Sequence, residues 1–196
     1  MAKAARKVTT ALAVSAALLT ARAATAADAP DRPTIVLHVD DFANVLPRDM
    51  GAAETIAARI FRTAGIQTVW RRGRQPLPRI EGALYLKVLV LSQAMAVQKI
   101  ASDGVGDNVL GQAAKACGRA YIFSHRVVAL ATRNQRSVGD VLGWVLAHEL
   151  GHLVLPENSH SPTGIMSAAI DLSPRVTPAF TPEQTTAIRE AVGSAH

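Results

Sequence analysis

The chain has 196 residues, 49% of them hydrophobic and 18% charged, with a formal charge of +6. That balance excludes a disordered polyelectrolyte and suits one globular domain of ordinary size. A single cysteine, Cys117, excludes an internal disulfide framework, and 4% aromatics are too few for a nucleic-acid platform of stacked rings.

Residues 1–26 have the order of a secretory signal peptide. Lys3, Arg6 and Lys7 form a basic start, Val8 to Leu19 is apolar, and Ala24-Thr25-Ala26 offers small residues for cleavage. The apolar run stops before Arg22, short of the ~20 residues of a spanning helix, so stable membrane insertion is not expected. Cleavage near Ala26 would leave residues 27–196 as one secreted or periplasmic domain. Removing Lys3, Arg6, Lys7 and Arg22 brings the formal charge down to +2, so no nucleic acid or other polyanion is implied as a partner.

Thr34 to Val39 is a compact β-branched run and reads as a first strand. From Asp49 to Thr63, Ala53, Ile56, Ala57, Ile60 and Phe61 recur at helical spacing, and Gly65 sits where a C-terminal cap belongs. Ile66 to Trp70 reads as a second strand, followed by a solvated loop with Arg71, Arg72, Arg74 and Arg79. Ala83 to Leu91 has the nearly continuous apolar pattern of a buried third strand. Ser92 to Ile100 fits a helical turn or a loop equally well, and Asp103 to Asp107 is a turn. Asn108 to Gln112 reads as a short edge strand. After export the lone Cys117 would either sit buried, which its small neighbours fit, or pair between chains, and Ala120 to Phe123 is a fifth strand. Ser137 to Leu155 is the clearest helix, opening on a capping-box pattern at Ser137 and Asp140 and apolar nearly all round, as an interior helix is. A last helix runs from Pro182 to Val192, with Thr181 as cap and Gln184 closing the box.

The interior helix contains His148-Glu149-Leu150-Gly151-His152. Positions four apart lie on one helix face, so both imidazoles can reach one zinc ion. Glu149 points about 100° round the helix, towards a metal-bound water rather than the metal. Without a metal these would be costly polar groups on a buried helix. Catalytic zinc keeps three protein ligands and one open position. His160, eight residues after His152, is the nearest third ligand, and Gly164-Ile165-Met166 follows as a tight turn that would set Met166 under the metal.

His148-Glu-Leu-Gly-His152, then His160, then Gly164-Ile-Met166 resembles the metzincin metallopeptidases, particularly matrixin-like and small bacterial members. The resemblance implies an α+β zincin fold. Its sheet would be five-stranded, mixed and mostly parallel with an antiparallel edge strand, packed on two long helices, with a small C-terminal subdomain ending in a helix. It also implies Val109, Leu110 and Gly111 on the edge strand where a peptide or protein substrate lies extended. The chain departs from the family in two ways. Leu155 stands where metzincins have a glycine after the second His, and His160 comes two residues later than the usual third ligand. No Tyr follows Met166 closely, and the segment before Thr34 is too short for an inhibitory propeptide. The expected protein is a secreted zinc-dependent endopeptidase in which Glu149 assists attack of a zinc-bound water on the peptide bond. Two alternatives stay open. One is a zincin whose third ligand is a carboxylate, Asp171 or Glu183. The other is a non-catalytic zinc-binding interaction protein whose ion is closed by Glu157 or His125.

Overall fold

The computed structural model describes residues 32–172 and 178–194. The signal expected over residues 1–26 lies outside them. β1 (Thr34–Asp41) leads into α1 (Pro47–Thr63), which opens on Pro47, where a missing N–H is tolerated. Gly65, at φ +80°, turns the chain out of α1 into β2 (Gln67–Arg72). Next come β3 (Leu84–Leu91), α2 (Gln93–Asp103), β4 (Gly111–Ala114), a 3-10 turn at Lys115–Cys117 and β5 (Arg119–Phe123). α3 (Ser124–Arg133), α4 (Val138–Val154) and α5 (Pro182–Gly193) complete the order.

The strands form one sheet in the order β2-β1-β3-β5-β4. β1 pairs parallel with β2 and β3, β3 pairs parallel with β5, and β4 runs antiparallel to β5 at the sheet's edge. This is the α+β architecture expected from the sequence, with its antiparallel edge strand. Side chains alternate across the strands, so one face carries Ile35, Leu37, Val39, Val88, Val90, Ala120 and Ile122 into the main core with α1 and α4. The opposite face presents Leu89, Leu91, Tyr121 and Phe123, which pack with Ala96 and Ile100 of α2.

The two long helices meet through glycine. A Cβ built on Gly143 would lie 2.9 Å from the Ala53 carbonyl oxygen and 2.8 Å from Ile56 Cβ. One built on Gly139 would lie 2.9 Å from the Asp49 carbonyl oxygen. The spacing of four puts both glycines on the face of α4 that touches α1, and every residue from Val141 to Gly151 is buried. α5 closes the structure over the end of α1. Arg189 donates to the Ala64 carbonyl at 2.7 Å, and Phe180 packs edge-on against Phe61 with ring centroids 5.1 Å apart.

Several local expectations are corrected. β4 begins at Gly111, not Asn108, because the chain is still turning there. The Arg126 guanidinium donates to the carbonyls of Gly106 and Val109 at 2.7 and 2.8 Å and holds that turn. Ser137 is the N-cap of α4, but its side chain makes no capping bond. Cys117 is exposed. Arg71 and Arg72 belong to β2 rather than to a solvated loop, and Arg72 forms a bidentate pair with Glu54 of α1 at 2.6 Å. The segment after Ser92 is helix α2, capped by the Ser92 side chain. α3 has no counterpart in the sequence reading, although Val127, Leu130 and Ala131 carry helical spacing.

The glycine contact predicts opposite outcomes for one substitution at two positions. Gly51→Ala, in an open part of α1, should stabilise by about 0.5–1 kcal/mol. Gly143→Ala should destabilise by about 1–3 kcal/mol through overpacking against α1, despite alanine's better helix propensity. Urea unfolding midpoints of the two variants check both signs.

Candidate metal centre

α4 presents His148 and His152 one turn apart, with ring centroids 4.7 Å apart and Nε2 atoms 3.0 Å apart. His160 arrives from the loop after α4 and brings its Nε2 to 3.1 Å from that of His152. Three nitrogens around one tetrahedral ion, each roughly 2.0–2.1 Å from it, would stand about 3.3 Å apart. Both of these distances are within a few tenths of an ångström of that spacing. The donor set fits zinc in kind as well, being all imidazole.

The tautomer of His148 follows from its surroundings. Its Nδ1 donates to the Ile165 carbonyl at 2.8 Å, and a carbonyl can only accept, so Nε2 turns a lone pair on the cluster. His152 Nδ1 lies 3.3 Å from the Ser159 hydroxyl. Burial holds His148 below the ordinary histidine range, with the Ile165 carbonyl opposing and His160 adding a smaller downward push. Burial also pulls His152 down to about 4, reinforced by His148 and His160. Both rings are therefore neutral near pH 7, the form that a metal requires.

Glu149 lies against β4, in the same cleft as the imidazoles. A Cβ on Gly111 would lie 2.7 Å from Glu149 Cγ and 2.9 Å from Oε1, so only glycine leaves room for this side chain in its observed position. Burial pushes the Glu149 carboxyl up to about 8, partly opposed by a backbone hydrogen bond from Ala113 of β4. A dication nearby would favour the ionised form again. Gly111 thus stands behind the carboxylate, while Val109 and Leu110, expected on the edge strand, precede it and line the cleft.

Met166 is fully buried beneath α4. A Cβ on Gly151 would meet its Sδ at 2.5 Å, so the glycine between Leu150 and His152 lets the methionine turn close against the helix. That turn is tied down at Ile165, whose N–H donates to the Ala179 carbonyl at 2.8 Å. The longer connection before His160 bends at Asn158, with φ +58°, a conformation that asparagine tolerates better than most residues.

Among the described residues, the His/Cys/Asp/Glu group that could hold an ion is His148, His152 and His160. Asp171, Glu183, Glu157 and His125 contribute no ligand atom to it. Glu183 is exposed in the first turn of α5, and His125 opens α3 with its buried Nδ1 unpartnered. The three nitrogens and Glu149 face a cleft of about 1060 Å³, with Leu110, Leu130, Val145 and Ile170 among its apolar lining. Sequence reasoning missed the supporting contacts from Ile165, Ser159 and Ala113. All three are long-range, and only the metzincin-like spacing hinted that the loop returns to α4.

No family model matches the sequence, and no curated protein matches it. Among solved structures, the archaemetzincin of Methanopyrus kandleri superposes with a TM-score of 0.50 at 15% identity, covering 83% of this chain and 98% of that one. The chain therefore has a zinc-metallopeptidase-like fold, with three histidines placed where they could bind a metal.

Elemental analysis after zinc reconstitution is expected to find one zinc per chain. His152→Ala and His160→Ala should each lose or weaken it, whereas Glu183→Gln should retain it in full.

Proposed function

We propose that the protein is a zinc-dependent endopeptidase of the metzincin type, with matrixin-like features in its Met166 turn. The observation that carries the reading is the convergence of three imidazole nitrogens on one point at a cleft, with a buried carboxyl one residue past the first ligand. A three-ligand set with no fourth side-chain ligand among the described residues supports a catalytic rather than a closed structural site. The order of basic, apolar and small residues over 1–26 supports export from the cytoplasm.

Zinc held by His148, His152 and His160 would supply Lewis acidity, making water a nucleophile near neutral pH and polarising a substrate carbonyl. Glu149 accepts the proton of the attacking water and returns it to the leaving amine. The Ala113 backbone and the bare Cα of Gly111 set where that carboxyl waits. β4 pairs with β5 on one side and ends the sheet on the other, so an extended peptide can add to its free edge as a further strand. Backbone pairing there would bind peptides of many sequences, and the apolar cleft lining would select among their side chains.

Cleavage of a mixed peptide library, read by mass spectrometry, tests the activity. Glu149→Gln should lower turnover by about 10²–10⁴-fold while zinc stays bound. Gly111→Ala should act in the same direction through displacement of Glu149, lowering kcat more than it raises KM. Full activity in Glu149→Gln would remove it as the base. A zinc-loaded wild type that cleaves nothing would favour the non-catalytic interaction protein.

A further inference from the structure

The third ligand has the weakest local support of the three. His148 and His152 are fixed by a buried helix, but His160 is exposed on an irregular connection that passes through exposed Pro156, Glu157 and Asn158. Holding such a loop in one conformation costs conformational entropy unless long-range bonds offset it. Gln184, in the first turn of α5, makes those bonds. Its Oε1 accepts from the Thr181 backbone N–H at 3.0 Å and completes the helix cap. That fixes the amide orientation, since only the oxygen can accept. Its Nε2 then donates to the Ser159 carbonyl at 3.0 Å and the Ser161 hydroxyl at 3.2 Å, the residues on either side of His160.

Both flanking residues pass the constraint on. The Ser159 hydroxyl lies 3.3 Å from His152 Nδ1, and the Ser161 N–H donates to the Met166 carbonyl at 3.0 Å. α5 is in turn anchored to α1 through Arg189 and the Ala64 carbonyl, and α1 packs directly on α4. A closed circuit of contacts thus runs from the two helical ligands through α1 and α5 to the third. Gln184 is 9% exposed, so its amide bonds are shielded from competing water.

We propose that Gln184 is a positioning residue for the third metal ligand, its side-chain amide clamping the backbone on both sides of His160. The inference rests on the three-histidine zinc reading and specifies what holds that site together. It gives Gln184 two separable tasks, capping α5 through Oε1 and clamping the ligand loop through Nε2. Gln184→Glu separates them, because a carboxylate still accepts at the cap but cannot donate to the loop. Ser161→Ala removes one of the two clamped partners without altering α5.

The test is zinc affinity of the purified protein, by competition with a chelator, beside urea unfolding of each metal-free variant. Gln184→Glu should weaken zinc by about 10–100-fold, as loss of a ligand's supporting hydrogen bonds does, with a smaller loss of metal-free stability from the carboxylate that then faces the Ser159 carbonyl. Ser161→Ala should weaken it less, and the visible absorption of the cobalt-substituted protein should change in both. Thr181→Ala should lower the unfolding midpoint and leave zinc affinity unchanged. Wild-type affinity in Gln184→Glu would overturn the inference alone, as would metal-free destabilisation as large as the affinity loss. A wild type that takes up no zinc would overturn this inference together with the metal reading.

Discussion

Burying His148 and Glu149 inside α4 strips them of water, and a polar group left unsatisfied there costs on the order of 1–3 kcal/mol. The structure meets that cost differently for each. His148 donates from Nδ1 to the Ile165 carbonyl and keeps its other nitrogen for the cluster. Glu149 receives one bond from β4 and sits against the space that Gly111 leaves open. These contacts leave capacity uncommitted, a lone pair on an imidazole and much of a carboxyl, and both belong to the same cleft. A helix required only for packing gains nothing from that arrangement; a metal and a reacting water would use it.

The same constraint explains why α4 is thin where it is most enclosed. Gly139 and Gly143 admit α1 to backbone contact on one face, and Gly151 admits Met166 between the two ligand turns. Larger residues at these points would gain helix propensity and lose the close approach that fixes the helix. Rigidity matters because a helix that rolled would carry His148 and His152 together away from His160. α1, the sheet and the methionine turn pack against α4 and oppose such rolling, which ties the main core to the placement of the pair relative to the third histidine.

Much of this was legible in the chain because it is written at short range. The strands β1 and β3 announce themselves by β-branched and apolar runs, and the ligand pair by a spacing of four on a helix with two apolar faces. α3 escaped because its polar opening and paired valines blur a period that Val127, Leu130 and Ala131 do carry. The start of β4 has no local signal because a guanidinium seventeen residues from Val109 in sequence holds the turn before it. Gly111 is a purer case of the same limit. In sequence it is a glycine on an edge strand beside a substrate, whereas in space its missing Cβ is room for Glu149, a relation across 38 positions that no local pattern records.

The connection to His160 depends on a relation of the same long-range kind. Three residues behind the second histidine stands Leu155, whose side chain is buried in the core, and the chain makes its bend later, at Asn158. The eight residues from His152 to His160 put that histidine out of reach of the helix's own rigidity. A residue whose sequence signature is only that of a helix cap then spans the gap, because the cap consumes one end of the Gln184 amide and leaves the other for the loop. Helix capping and ligand placement are thereby coupled through one side chain. Changes at the far end of the chain would reach His160 without touching α4, and of the three histidines it is the one held by hydrogen bonds rather than by the core.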